Sequence, residues 1–182
     1  MKPALRIALA GPEATGKTTL AHMLAERLGL PVLDDPRPGF LAETRCHTLF
    51  EAAQYRPVWR ELLERQLERE AAPGAAILDT CVLDYWVLWQ RWGWCGASPD
   101  VSERLYEGVL RACAQLSHVV LMPPAQVQEF QGYRFLNDAY ARQVARLTRG
   151  LLSEACSAAD AMTLTPGPAG DYVEAVLARA AR

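Results

Sequence analysis

No run of about 18 or more apolar residues occurs in the chain, so a membrane-crossing helix is not expected. Neither sign of charge is in excess: 19 Lys+Arg face 21 Asp+Glu, a formal net charge of −2. Broad electrostatic binding is therefore not expected, and neither nucleic acid nor membrane is an expected partner. The short apolar run at the N-terminus carries Arg6 and does not read as a secretory signal. The cysteines at 46, 81, 95, 113 and 156 are odd in number, widely spaced and without a C-x-x-C pair. That pattern speaks against a disulfide framework or a zinc site, and for reduced thiols in a cytoplasmic protein. Histidine is scarce, and His22, His47 and His118 stand far apart. Repeats, low-complexity tracts and long polar linkers are lacking too, so one domain over residues 1–182 is expected. What is present is a 51% hydrophobic composition, enough for a sizeable core.

Apolar runs at 5–10, 31–34, 75–79, 119–122 and 162–165 read as strands. Between and after them, 18–28, 40–72, 83–94, 101–116, 137–159 and 171–180 read as helices, the second broken before Pro57. Gly29 is the stop of the first helix. Such alternation predicts an α/β fold, a mostly parallel five-stranded sheet covered by helices on both faces.

The sharpest motif follows the first strand: Gly11-Pro12-Glu13-Ala14-Thr15-Gly16-Lys17-Thr18-Thr19. It fits G-x-x-x-x-G-K-[ST], the phosphate-binding loop, between a strand and a helix as the chemistry requires. A chance match in a chain this long has a probability on the order of 1 in 200, so the motif is specific. Backbone N–H groups of the loop and the helix N-terminus converge on an anion. Lys17 offers a cation to the β- and γ-phosphates, and Thr18 a hydroxyl to Mg2+. Gly11, Glu13, Ala14, Thr15, Gly16, Lys17, Thr18 and Thr19 are the candidate nucleotide-binding residues. The expected fold is thus the P-loop NTPase three-layer sandwich.

A P-loop needs an acid near its metal. Asp79 ends the apolar strand 75–78, at the carboxyl edge where ligands collect in open α/β sheets. It reads as the second Mg2+-holding residue beside Thr18, or else as a helix cap. Asp84 reads as a cap of the helix that follows. Asp34 and Asp35 end the second strand at the same edge, and either can orient an acceptor hydroxyl or take its proton. A solvated Asp-Asp-Pro turn is the other reading of that pair. Arg37 contacts substrate or is exposed. Arg134, in Gln131-Gly132-Tyr133-Arg134, and Arg142 and Arg146 on the next helix are candidates for neutralising the transferred phosphoryl group. A lid spanning about 125–146, hinged at Gly132, would carry them. Trp86, Trp89 and Trp92 read mostly as core, with at least one aromatic left for an acceptor pocket.

The chain resembles the NadR-like, nicotinamide riboside kinase type of small P-loop kinases. The P-loop resembles that family's G-P-E-S-T-G-K-[ST]-T-L. Leu78-Asp79-Thr80-Cys81 resembles its C-D-T-D strand end, and Gly132-Tyr133-Arg134 followed by Arg142 resembles its lid; Gln66 is a weaker match. Cys81 and Gln131 stand where the family tends to have acids, and of the run after the second strand only Arg37 matches well. The resemblance implies an ATP- and Mg2+-dependent kinase acting on a small-molecule acceptor, nucleoside-like or another metabolite, with Lys17, Asp34, Asp35, Asp79, Arg134 and Arg142 carrying catalysis. Against it stands a P-loop NTPase working as a nucleotide-dependent switch with a protein partner. A switch more often carries a base-specificity motif such as N-K-x-D, and none occurs here.

Overall fold

The computed structural model of the chain describes residues 4–124, 138–156 and 159–181. Five strands form one sheet: β1 (Arg6–Ala10), β2 (Val32–Leu33), β3 (Ala76–Leu78), β4 (His118–Leu121) and β5 (Asp160–Thr163). Their spatial order is β2-β3-β1-β4-β5, and every observed pairing is parallel. Eight α-helices complete the described residues: α1 (Lys17–Leu28), α2 (Arg37–Thr44), α3 (Leu49–Ala52), α4 (Val58–Glu70), α5 (Val82–Leu88), α6 (Pro99–Cys113), α7 (Asp138–Ala155) and α8 (Ala169–Ala180). A π-helical turn, Trp89–Gly93, extends α5. Among the described residues no helix is long and apolar enough to cross a membrane.

The layers follow from the two-residue period of a strand. In β1, Ile7 and Leu9 face α1 and α8 in one apolar cluster with Leu20, Leu24, Val173 and Val176. Ala8 and Ala10 face the other way, into a larger cluster built by α2 to α7. Ile77 and Val120 join the first cluster, while Leu78, Val119 and Leu121 join the second. A sheet covered on both faces needs strands without polar alternation, which is how these runs read. The order places the switch in strand direction of winding between β3 and β4, beside β1, and so puts the loop after β1 at the crevice where ligands gather.

The helix expected over 40–72 is three helices. Thr48 accepts from the Glu51 N–H at 3.0 Å, and the Glu51 carboxylate accepts from the His47 N–H, so a capped helix starts inside the expected one. Pro57 stands just before α4, and its carbonyl accepts from the Glu61 N–H of the first turn at 3.0 Å. The aromatic helix ends at Leu88, where the ladder widens by one residue: the Trp94 N–H reaches the Trp89 carbonyl at 3.0 Å. Gly93 has to be glycine there, because a Cβ would sit 2.4 Å from the Trp89 ring. Trp86 and Trp89 are core, Trp94 is exposed, and Trp92 lies against Trp59 and Phe50 at ring-centroid distances of 6.4 and 5.2 Å.

A buried polar cluster sets the turn after β3. Arg6, the charge inside β1, donates to the carbonyls of Glu70 at 2.8 Å and Ala72 at 2.6 Å, closing the C-terminus of α4. The Glu70 carboxylate accepts from the Val82 N–H at 2.6 Å and from Gln66 at 2.7 Å, and Gln66 also donates to the Thr80 carbonyl at 2.8 Å. The end of α4 thereby holds the turn 80–82 that follows Asp79. Burial pushes the Glu70 carboxyl up to about 7, against hydrogen bonds from Gln66 and Val82 and the charge of Arg6 that favour its ionised form. A carboxyl raised on folding binds more protons in the native than in the unfolded state, so its charged form opposes folding above its native value. Stability is expected to rise as pH falls from about 7 towards the ordinary Glu range, with Asp84, pushed up by burial to about 6, adding the same sign. Glu70→Gln should flatten that rise, by up to about 3 kcal/mol between pH 8 and pH 5. Urea unfolding at both pH values checks it, and equal slopes in the two proteins would show that Glu70 is not held in this way.

Candidate nucleotide and acceptor site

The phosphate loop runs from Gly11 to the first turn of α1. Gly11 has φ 128°, and a Cβ there would lie 3.0 Å from the Met122 carbonyl at the end of β4. Ala14 is left-handed at φ 57°, which turns successive N–H groups towards one concavity. Thr15 donates to the Pro12 carbonyl at 2.9 Å. Lys17 is buried and curls back on its own loop, donating to the carbonyls of Gly11 at 2.8 Å and Pro12 at 2.7 Å. Its ammonium is therefore pre-placed over the concavity.

A cavity of about 360 Å³ opens above the loop. Glu13, Ala14, Thr15, Gly16, Lys17, Thr18 and Thr19 line it from the loop side, and Asp35, Arg37, Asp79 and Thr80 from the edge of β2 and β3. The Thr18 hydroxyl donates to Asp79 Oδ2 at 2.9 Å, while Asp79 Oδ1 is buried with no hydrogen-bond partner among the described residues. A hydroxyl beside an unsatisfied carboxylate oxygen is an all-oxygen donor set, and Mg2+ takes such ligands together with phosphate oxygens and water. The residues fit the metal. Burial raises the Asp79 carboxyl, opposed by the Thr18 hydrogen bond and the Lys17 charge. Asp79 caps nothing: the Val82 N–H that opens α5 goes to Glu70.

The two acids after β2 part company. Asp34 is exposed and its only described partner is His22, 3.8 Å away; it does not line the cavity. Asp35 is buried in the cavity wall. It accepts from the Arg37 N–H at 2.9 Å, from Arg37 Nε at 2.8 Å and from the Tyr85 hydroxyl at 2.5 Å. Burial pushes its carboxyl up, but the Arg37 guanidinium and these hydrogen bonds outweigh that and hold it down at about 2. Arg37 is not exposed: its other guanidinium nitrogen pairs with Glu13 of the phosphate loop. A buried ion network thus ties the loop to the start of α2 and, through Tyr85, to α5. Such a network fixes geometry more than it adds stability.

Beyond Glu13 lies a narrow apolar cleft lined by Leu49, Phe50, Trp59, Leu88, Trp92 and Tyr140. It is the described place where aromatic faces adjoin the phosphate loop. Asp84 is not a helix cap. Its carboxylate leaves α5 and accepts the Gly11 N–H at 2.8 Å. Arg142 and Arg146 are exposed on α7 and do not line the cavity. Arg134, with Gln131, Gly132 and the part of the expected 125–146 lid up to residue 137, lies outside the described residues. Glu70, Asp84 and Tyr85 are the members of the site's support that reading the sequence did not single out in these roles.

Solved structures share this architecture. An NadR protein in complex with NAD and AMP-PNP superposes with a TM-score of 0.70 at 14% identity, over 98% of this chain and 50% of that one. The deoxyadenosine kinase from M. mycoides, with products dCMP and dCDP, gives 0.64 at 12% identity, over 96% and 97%. The shikimate kinase from Acinetobacter baumannii, in complex with shikimate, gives 0.58 at 17% identity, over 96% and 91%. The chain spans about half the length of the NadR chains it matches. No curated protein matches the sequence. At these identities the likeness is one of fold, and at that level the resemblance to NadR stated from the motifs is met. A family model described as an AAA domain matches residues 6–159, and the chain belongs to that family.

Proposed function

We propose that the protein is a kinase that transfers the γ-phosphoryl group of ATP to a hydroxyl of a small molecule, nucleoside-like or another metabolite. The observation that carries this is the shared cavity: the phosphate loop with Lys17, Thr18 and Asp79 on one side, and the fixed Asp35–Arg37 pair on the other. A switch that uses water alone has no need of a second, rigid wall of buried charge. The fold-level likeness to NadR, deoxyadenosine kinase and shikimate kinase structures supports the same reading.

Thr18 and Asp79 would hold Mg2+, which when bound neutralises charge on the phosphates. Lys17 gives up its loop carbonyls to the β- and γ-phosphates. Asp35 aligns the acceptor hydroxyl; held near 2, it is a poor proton sink at neutral pH and acts by orientation. The acceptor oxygen bonds to the γ-phosphorus, the bond to the ADP oxygen breaks, and the hydroxyl proton leaves with the product or solvent. Glu13 stays paired with Arg37, so the loop and the acceptor wall move as one body.

The test is ADP release from ATP and Mg2+ with a panel of nucleosides that includes nicotinamide riboside, and with other small hydroxyl compounds. Strong stimulation by one compound, with a product heavier by one phosphoryl group in the mass spectrum, is the expected result. Slow release that no compound stimulates would replace the kinase by the nucleotide-dependent switch.

A further inference from the structure

We infer that Asp84 is a positioning residue for nucleotide binding, acting through the Gly11 N–H that its carboxylate holds; the inference rests on the nucleotide site proposed above. Gly11 is the residue at which the chain turns out of β1, and its peptide groups are gripped from two sides. Its N–H donates to Asp84 Oδ1 at 2.8 Å, and its carbonyl accepts from Lys17 Nζ at 2.8 Å. The turn from strand to phosphate concavity is therefore set by one side chain of α5 and one of α1. Asp84 does not line the cavity, so it touches no phosphate and works through Gly11.

The choice of an acid here is costly and needs a reason. Asp84 is more than nine-tenths buried, and its Oδ2 has no hydrogen-bond partner among the described residues. A fully buried carboxylate with one idle oxygen is not what packing or helix capping selects. The titratable groups that face it are Lys17 of α1, Arg37 of α2, Asp35 before α2, Glu70 of α4, and Cys81 and Tyr85 beside it in its own turn and helix. Lys17 is the largest favourable one. A bond to a backbone N–H from an ionised acceptor is short and strong, and it holds the loop's first peptide while Lys17 exchanges Gly11 and Pro12 for phosphate.

The variants separate the bond from the charge. Asp84→Asn keeps a carbonyl oxygen for the Gly11 N–H, whereas Asp84→Ala keeps none. AMP-PNP with Mg2+ is titrated into each protein by calorimetry. Asp84→Ala is expected to bind at least about tenfold more weakly than the unaltered chain, and Asp84→Asn, which keeps the acceptor but loses the charge, to fall between the two. In ADP release the KM for ATP should rise in Asp84→Ala by the same factor, with the rate at saturation changed less. If Asp84→Ala does not fold, Asp84→Ser takes its place, because its hydroxyl keeps a polar group at the position but sits on a side chain too short to reach Gly11. Binding by the Ala or Ser variant within threefold of the unaltered chain overturns the inference. So does an Asn variant as weak as Ala. Failure of the unaltered chain itself to bind AMP-PNP overturns the nucleotide site and this inference with it, which is a different result from either.

Discussion

Lys17→Ala is expected to lower the rate of phosphoryl transfer on the order of a thousandfold while the far-ultraviolet circular dichroism stays that of the unaltered chain. The size follows from what the ammonium does in each state. In the structure its hydrogen bonds go to two carbonyls of its own loop, Gly11 and Pro12. The Gly11 peptide is still held by Asp84 at its N–H, and the hydrogen-bond ladders of β1 and α1 do not involve the ammonium, so the secondary structure stays. In the proposed transfer step charge builds on the equatorial oxygens of the phosphoryl group, in a site where Lys17 is the one lysine among the described lining residues. Arg37 cannot substitute, because Asp35 and Glu13 already occupy its guanidinium. Lysine also suits the position for its shape: a compact cation on a flexible stem can leave the carbonyls for phosphate, where a planar guanidinium would need a bidentate partner. The check is single-turnover transfer from labelled ATP, with nucleotide affinity measured separately. Turnover within about tenfold of the unaltered chain would overturn the phosphate-loop assignment.

The phosphate loop was legible because its chemistry dictates its spacing: glycine where the backbone must turn, lysine and threonine where α1 begins. Asp79 was legible because an apolar run stops there, and the end of a buried strand is the edge of the sheet. Asp34 and Asp35 could not be told apart, since consecutive residues leaving a strand point to opposite sides. Which one enters the cavity depends on Arg37 turning in under α2, and that is a tertiary fact. Glu70 shares a helix face with Leu63 and Gln66, opposite Glu61, Glu64 and Glu68, so the helical period marks it as the buried acid without saying what it holds. Its partner, the turn 80–82, arrives from elsewhere in the chain. Asp84 looked like a cap because an acid in the first turn of a helix usually is one. The Glu70 side chain had already taken the free N–H of Val82, leaving Asp84 for Gly11. The break inside 40–72 did carry a signal, Thr48-x-x-Glu51, which outranks the helical pattern running through it. The π-turn at 89–93 had none beyond Gly93 among large aromatics.

Asp79→Asn is expected to raise the Mg2+ concentration for half-maximal activity at least about tenfold and to lower the rate at saturating Mg2+ by about a hundredfold. Asparagine keeps an oxygen for the Thr18 hydroxyl, so the contact at 2.9 Å survives and α1 stays seated. What it loses is the charge, and with it the second oxygen: in place of Oδ1, buried and unpartnered, stands an amide that can only donate. A donor cannot face a cation. Thr18 is then left as a lone neutral ligand, and phosphate oxygens must hold the metal largely alone. The substitution also removes a buried carboxylate that burial already disfavours, so its thermal midpoint should equal or exceed that of the unaltered chain. Loss of metal affinity with gain of stability separates a ligand from a structural partner, because removing a structural partner lowers both. An unchanged Mg2+ titration would leave Asp79 as the anchor of Thr18 and move the metal site elsewhere along the edge of the sheet.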